Sequence, residues 1–288
     1  QKSFLCHVLG FVNHMGTGSA GVEQQLDRYL RGSPGIMEGR VNALRQELYN
    51  RRGRYVPALE GANVTLTIDQ NIQYMVEKAL DDVMAEHHAE GAWAVVQRVS
   101  TGEILALASR PGFDLNAFNE APELARLNRA VGYVYEPGST LKPVVIAAAL
   151  EEHTVTPETM FDCENGAWLY KRRLLRDYHA YTRLSVADGL KKSSNILTAK
   201  VALTLGDERL DDYLRAFGFG RKLGVDLPGE ENGILHPVKH WSGISATRIA
   251  IGQGIAVTAL QLLGSMCAIA NDGFMMKPYI VREVTSGS

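Results

Sequence analysis

Glu136-Pro-Gly-Ser139-Thr-Leu-Lys142, followed by Pro143 and the apolar run Val144-Val-Ile-Ala-Ala-Ala-Leu150, decides how the chain is read. Pro137 and Gly138 end whatever precedes, and the run after Lys142 predicts a helix apolar on every side, which has to be buried. Ser139 falls in the first residues of that helix, and a spacing of three puts Lys142 one turn later on the same face, within reach of the serine hydroxyl. A serine hydroxyl is protonated at neutral pH and needs an adjacent base. A lysine can serve only where burial or a neighbouring cation lowers its pKa, and a buried helix supplies the burial. Taken alone, the tetrad fits equally an N-cap serine beside a solvated lysine, since Ser-x-x-Lys arises by chance in a chain of this length.

Composition sets the outer limits. With 288 residues and 45% hydrophobic content the chain suits one large domain, or a domain with an appendage, and can bury a sizeable core. Thirty basic against 32 acidic residues leave a net charge of −2. That balance provides no field for a polyanion, so nucleic acid is not an expected partner. Cys6, Cys163 and Cys267 are widely spaced and lack histidine partners at metal spacing, which argues against a disulfide scaffold and a zinc site. Cys267 reads as core, and His87-His88 as a solvated pair. No run approaches the roughly 18 apolar residues of a membrane span, and no signal peptide is visible. The chain opens on Gln1 and stops at Ser288 in mid-element, so it is expected to be a piece of a longer protein.

In chain order, Leu5–Val12 predicts a strand and Val22 to about Leu30 a helix. Between them, Gly16-Thr-Gly18-Ser-Ala-Gly21 matches a dinucleotide fingerprint, but Asn13-His-Met15 interrupts the tight turn and no second strand ends in an acid, so these glycines read as loop-shaping. The Arg-rich stretch Gly39–Pro57 predicts a hairpin or an extended linker, and a domain boundary is placed near Glu60. Val64–Ile68 is a predicted strand, Asp69 an N-cap, and Ile72 to about Glu86 a helix. Ala92–Val99 and Glu103–Ser109 predict a hairpin, with Trp93, Val95, Leu105 and Leu107 meeting a core on alternate faces. Pro122–Arg129 reads as a short helix. Thr154–Asp177 reads as turns carrying the basic cluster Lys171-Arg-Arg173, taken as solvated. Helices follow on both sides of Ser193-Ser-Asn195, then over Asp207–Phe217, Ser245–Ile251 and Thr258–Asn271, and a final strand over Met276–Val284.

Ser193-x-Asn195 lies 54 residues beyond Ser139. Ser-x-x-Lys, then Ser-x-Asn, then Lys-Thr-Gly is the established pattern of penicillin-binding proteins and serine β-lactamases. The chain resembles the class B penicillin-binding proteins, the monofunctional peptidoglycan transpeptidases. The resemblance extends through Leu9-Gly-Phe-Val12, Gly21-Val-Glu23, Thr67-Ile-Asp69, Thr101-Gly-Glu-Ile-Leu-Ala-Leu-Ala108, Asn128-Arg-Ala130, Glu136–Pro143, Lys192-Ser-Ser-Asn195, Gly252-Gln-Gly254 with Thr258, and Asn271-Asp-Gly273. Lys192-Ser-Ser-Asn195 is most similar to the cell-division and sporulation branches. Two departures stand out: no Lys-Thr-Gly or Lys-Ser-Gly occurs, and Gln97-Arg98 replaces the aspartate-containing turn usual in the family.

The resemblance implies an α+β serine β-lactamase/transpeptidase-like fold, an antiparallel sheet flanked by helices with an all-helical subregion, incomplete at its carboxyl end. It implies that residues 1–60 belong to the non-catalytic pedestal and 61–288 to the transpeptidase domain. Ser139 would attack the D-Ala-D-Ala carbonyl of peptidoglycan stem peptides and be acylated by β-lactams; Lys142 would accept its proton; Ser193 would relay protons; Asn195 would bind Lys142 and the substrate amide. The Ser139 N–H would supply half of an oxyanion hole. No cofactor or metal is implied. Expected partners are stem peptides, β-lactam antibiotics and cell-division membrane proteins, at the bacterial inner membrane with the catalytic part outside the cytoplasm. The third motif is expected beyond Ser288, on a strand beside the serine, which makes the 288-residue chain by itself weakly active or inactive. A β-lactamase or penicillin sensor on the same fold, and a noncatalytic division scaffold, are the alternatives.

Overall fold

The structure, a computed structural model, describes residues 3–38 and 54–286. Near the amino end the expected strand is instead a single helical turn, α1 (Cys6–Leu9), bracketed by left-handed Leu5 (φ 59°) and Gly10 (φ 74°). Tertiary packing decides against the strand: a Cβ on Gly10 would lie 1.9 Å from the Ala20 carbonyl oxygen, so two stretches of backbone cross where only glycine fits. Val12 does pair in extended form, with Gly18. The predicted helix after the glycine loop breaks at Leu26 into α2 (Gly21–Gln25) and α3 (Asp27–Leu30). Strands β1 (Ile36–Met37) and β2 (Tyr55–Val56) pair antiparallel, while most of the Arg-rich stretch expected as hairpin or linker lies outside the described residues.

Strand β3 (Asn63–Leu66) is followed by α4 (Gln70–His87). Asp69 caps α4 as its sequence position predicts, accepting the Asn71 and Ile72 N–H groups at 2.9 and 3.0 Å. The hairpin of β4 (Ala92–Gln97) and β5 (Ile104–Arg110) runs in register from Ala92↔Arg110 to Gln97↔Ile104. Strand β5 is buried on both faces rather than alternating. One cause is Gln73 of α4, fully buried, whose amide bonds both the N–H and the C=O of Leu107, as an added strand would. Below it Arg110, 6% exposed, pairs with Glu77, 7% exposed, at 3.1 Å and with Asp81 at 2.5 Å.

The helical subregion starts with α5 (Glu123–Arg126) and α6 (Arg129–Gly132), then a 3-10 turn over Gly138–Leu141 that runs into α7 (Lys142–Glu151). As its composition demands, α7 is buried, with Val145 and Ala149 wholly enclosed. The stretch read as turns contains three strands: β6 (Met160–Asp162), β7 (Ala167–Tyr170) and β8 (Arg173–Arg176). Lys171 (φ 45°) and Arg172 (φ 64°) close the β7–β8 hairpin in the left-handed conformation of a primed turn, which usually calls for Asn-Gly. That substitution of cations for the usual turn residues hid the hairpin from the sequence. Strand β6 pairs with β9 (Arg183–Ser185).

Helices α8 (Val186–Lys191), α9 (Asn195–Leu205), α10 (Asp207–Ala216) and α11 (Ser245–Ile249) follow. Helix α12 (Ala259–Ala270) opens on a capping box between Thr258 and Gln261. Leu141, Val145, Leu197, Val201, Leu214 and Ile255 join α7, α9 and α10 in one core. The last described strand is β10 (Val281–Thr285), antiparallel to β3, and just before it the Tyr279 carbonyl accepts the Ile104 N–H of β5 at 2.9 Å. Among the described residues β4 has a ladder partner on one side only.

Candidate active site

The Ser139 turn is shaped from two sides. Gly138 sits at φ 59°, open only to a residue that tolerates the left-handed region, and its N–H donates to the Gly252 carbonyl at 3.1 Å. Tyr135 and Val257 exchange both backbone bonds, at 3.0 and 2.9 Å, and the Glu136 carboxylate accepts the Gly254 N–H at 2.8 Å. The segment from Gly252 to Val257 therefore holds the serine turn as a strand would. Ser139 itself is exposed, and its hydroxyl makes no hydrogen bond among the described residues. Its N–H belongs to the first turn, where no intrahelical acceptor exists.

Among the described residues Lys142 is one of the largest fully buried side chains, 1% exposed. Its Nζ donates to the Ser193 carbonyl oxygen at 2.6 Å, the Ser193 hydroxyl at 3.0 Å and Asn195 Oδ1 at 2.7 Å. Burial pushes its pKa from 10.5 down to about 8, against a smaller upward pull from the negative charge of Asp177. At pH 7 about one such lysine in ten is neutral, against about one in 3,000 at the ordinary value. A protonated amine fills all three contacts as donor. A neutral one keeps two N–H groups for the Ser193 carbonyl and Asn195 Oδ1 and turns its lone pair toward a hydroxyl.

Ser193 adopts φ 54°, which brings both its carbonyl and its hydroxyl to the lysine. Asn195 opens α9, with its Nδ2 donating to the Arg176 carbonyl at 2.8 Å; that bond leaves Oδ1 for Lys142 and fixes the amide orientation. Thus Lys142, Ser193 and Asn195 meet in one hydrogen-bonded cluster. Ser139 is placed one turn before Lys142, but the structure makes no hydrogen bond between them: the lysine is tied to the second motif instead.

Several residues around the site carried no assigned role in the sequence. Asp177 lies under the second motif, bonded to Ser194, Asn195 and Ile196, at the end of a stretch that reads as turns. Glu136 and Gly252 belong to quoted motifs, but only the fold shows that they meet the serine turn. Other sequence features lie elsewhere. Gly16–Gly21 forms a crossing with Gly18 N–H on Asp27, Lys171 and Arg172 form an exposed turn with exposed Arg173 opening β8, His87 and His88 are exposed at the end of α4, and all three cysteines are buried and free. At the Gln97-Arg98 departure, Arg98 pairs with Glu103 at 2.7 Å across the hairpin turn.

Comparison with known proteins places this geometry. A family model described as the penicillin binding protein transpeptidase domain matches residues 92–286. Stage V sporulation protein D of Bacillus subtilis is 35% identical over 287 residues, covering 98% of this chain and 44% of that protein. Peptidoglycan D,D-transpeptidase FtsI of Escherichia coli is 31% identical over 281 residues, covering 96% of this chain and 46% of that protein. The crystal structure of penicillin binding protein 3 from Mycobacterium tuberculosis, complexed with ampicillin, superposes with a TM-score of 0.87 at 31% identity, covering all of this chain and 61% of that one. The chain spans about half the length of the curated relatives it matches.

Proposed function

The chain belongs to the penicillin-binding protein transpeptidase family, and we propose that it carries the nucleophile, base and proton relay of a peptidoglycan D,D-transpeptidase that cross-links stem peptides and is acylated by β-lactams. The observation that carries this reading is the buried Lys142 amine, held by Ser193 and Asn195 one turn from an exposed, unbonded serine. Ser139 Oγ bonds to the carbonyl carbon between two D-alanines as its proton passes to neutral Lys142. The C–N bond then breaks, and the departing D-alanine amine takes a proton relayed through Ser193, leaving an acyl-enzyme. An acceptor amine attacks that ester, gives up a proton along the same path, and Ser139 is regenerated. The Ser139 N–H polarises the carbonyl as one oxyanion donor, a contribution typically worth about 100 to 1,000 fold in rate.

Residues 61–288 form the transpeptidase unit in this reading, with α4 joined to β5 through Gln73, and residues 1–60 belong to the pedestal. The relatives' names support stem peptides as substrate and, through FtsI, division membrane proteins as partners; the ampicillin complex of a structural neighbour supports β-lactams as ligands. A substrate outside the cytoplasm places the catalytic part there, at the bacterial inner membrane.

Labelling the full-length protein with a fluorescent penicillin tests the reading. A long-lived adduct, with D-alanine released when stem peptide and an acceptor amine are supplied, is the expected result. Turnover of the adduct within seconds would instead establish a β-lactamase, and no adduct at all would leave a scaffold.

A further inference from the structure

Asn195 and Ser193 can serve Lys142 only if something holds them; the N–H groups of Ser193 and Ser194 donate back to Leu190 and Gly189 of α8 at 3.0 and 2.8 Å, but the start of α9 needs a further partner. The first N–H groups of α9 have no intrahelical acceptor, so the end of the helix that carries Asn195 is fixed from outside. That outside group is Asp177. Its Oδ1 accepts the N–H of Asn195 at 2.5 Å and of Ile196 at 3.0 Å, and its Oδ2 accepts the Ser194 hydroxyl at 2.7 Å. Ser194 Oγ in turn accepts the Leu197 N–H at 3.0 Å, so three successive amides of the first turn are satisfied by one carboxylate, directly or through Ser194. The preceding residue, Arg176, takes the Asn195 side-chain amide on its carbonyl. Residues 176 and 177 thus clamp Asn195 at both its backbone and its side chain, and Oδ1 is left facing Lys142.

We propose that Asp177 is a positioning residue of the acyl-transfer centre, which sets Asn195 Oδ1 and the Ser193 carbonyl and hydroxyl on Lys142 through Ser194 and the first-turn amides of α9. The assignment rests on the transpeptidase reading above. Asp177 also acts on Lys142 through its charge, since a carboxylate nearby favours the ammonium form. Asp177 is the charged neighbour that acts on the Lys142 amine, while Lys192 lies over the Tyr181 ring at 5.0 Å, Lys200 pairs with Glu164, Glu136 takes the Gly254 N–H, and Arg176 is exposed. Asp177 is therefore the residue whose removal changes both the geometry and the protonation of the base.

The test is the rate of acylation of the full-length protein by a fluorescent penicillin, followed from pH 6 to 10 for three single variants. Asp177→Asn keeps an acceptor for the α9 amides and loses the charge. Its rate at the alkaline plateau is expected to fall about 10 to 100 fold, the scale of a small misplacement of reacting groups. The midpoint of the rise with pH moves below that of the unsubstituted protein, because the base loses the charge that favoured its protonated form. Ser194→Ala breaks the cap but keeps the charge, and is expected to lower the melting temperature while leaving the midpoint where it was. Asp177→Ala combines both losses, and if it does not fold the Asn variant carries the test. An Asp177→Asn protein that acylates at the unsubstituted rate on the alkaline plateau, whether or not its melting temperature falls, overturns the assignment. Failure of the unsubstituted protein to acylate would overturn the transpeptidase reading itself and this role with it.

Discussion

Gly252 presses so closely on Gly138 that a Cβ there would stand 2.1 Å from the Gly138 carbonyl oxygen, while the Gly138 N–H donates to the Gly252 carbonyl. The contact is backbone on backbone, so nothing flexible can yield. Gly252→Ala is expected to displace the Ser139 turn, slow β-lactam acylation at least tenfold and cost about 1–3 kcal/mol, since φ is also +72°. Gly254 has a similar φ of +73° but open space around its Cβ, so Gly254→Ala should show strain of about 1 kcal/mol and near-normal acylation. Equal damage from both variants would show that backbone strain, and not the crossing, governs the serine turn.

The depressed pKa of Lys142 predicts a pH dependence of both activity and stability. Acylation should rise with pH through a midpoint near 8, as the base loses its proton. For stability the folded value lies below the unfolded 10.5, so the unfolded chain binds more protons between pH 8 and 10.5. Stability therefore climbs across that window, and the whole penalty, about 3 kcal/mol, is present below pH 8. Urea denaturation of the unsubstituted protein and of Lys142→Met at pH 7 and pH 10 isolates this contribution. A stability difference between the two proteins that does not change with pH would contradict it.

Arg110 and Glu77 are buried together, and Glu77 also accepts the Leu5 N–H at 2.9 Å and Gln73 Nε2 at 2.8 Å. Arg110→Met leaves that carboxylate buried without its cation, and should destabilise by about 3–5 kcal/mol. Replacing both partners by methionine should recover much of the loss, because the stranded charge goes with it. The Leu5 contact adds a second readout: limited proteolysis near the amino end should accelerate in Arg110→Met.

Cys6, Cys163 and Cys267 are free, buried, and have thiol pKa values raised chiefly by burial. An aromatic disulfide reagent should react with none of them in the native protein and with all three in denaturant. Rapid native modification of Cys163 would be the informative failure, since its sulfur lies 3.9 Å from the Ser194 hydroxyl beneath the second motif.

The sequence was most readable where local signals and burial agree. The α7 run, the Asp69 cap and the β4–β5 hairpin each state their structure in a few residues. The amino-terminal strand failed because its fate is set by the Gly10–Ala20 crossing, a contact between segments that no local pattern records. The β7–β8 hairpin failed because Lys171 and Arg172 occupy turn positions that favour Asn and Gly. Within the site, the motif residues stood out through the resemblance and not through spacing alone, and the three-way anchoring of Lys142 depends on the left-handed Ser193 and on Asp177, which is 18 residues from Asn195 in the chain. Such supports are invisible until the backbone brings them together.

The proposed chemistry requires Ser139 as the nucleophile and Lys142 as its base. Mass-spectrometric mapping of the full-length protein after reaction with a β-lactam tests it most directly. The predicted result is a single acyl adduct on the peptide containing Ser139, absent in Ser139→Ala and formed far more slowly in Lys142→Ala. An adduct on any other residue, or undiminished acylation after Ser139→Ala, would contradict it.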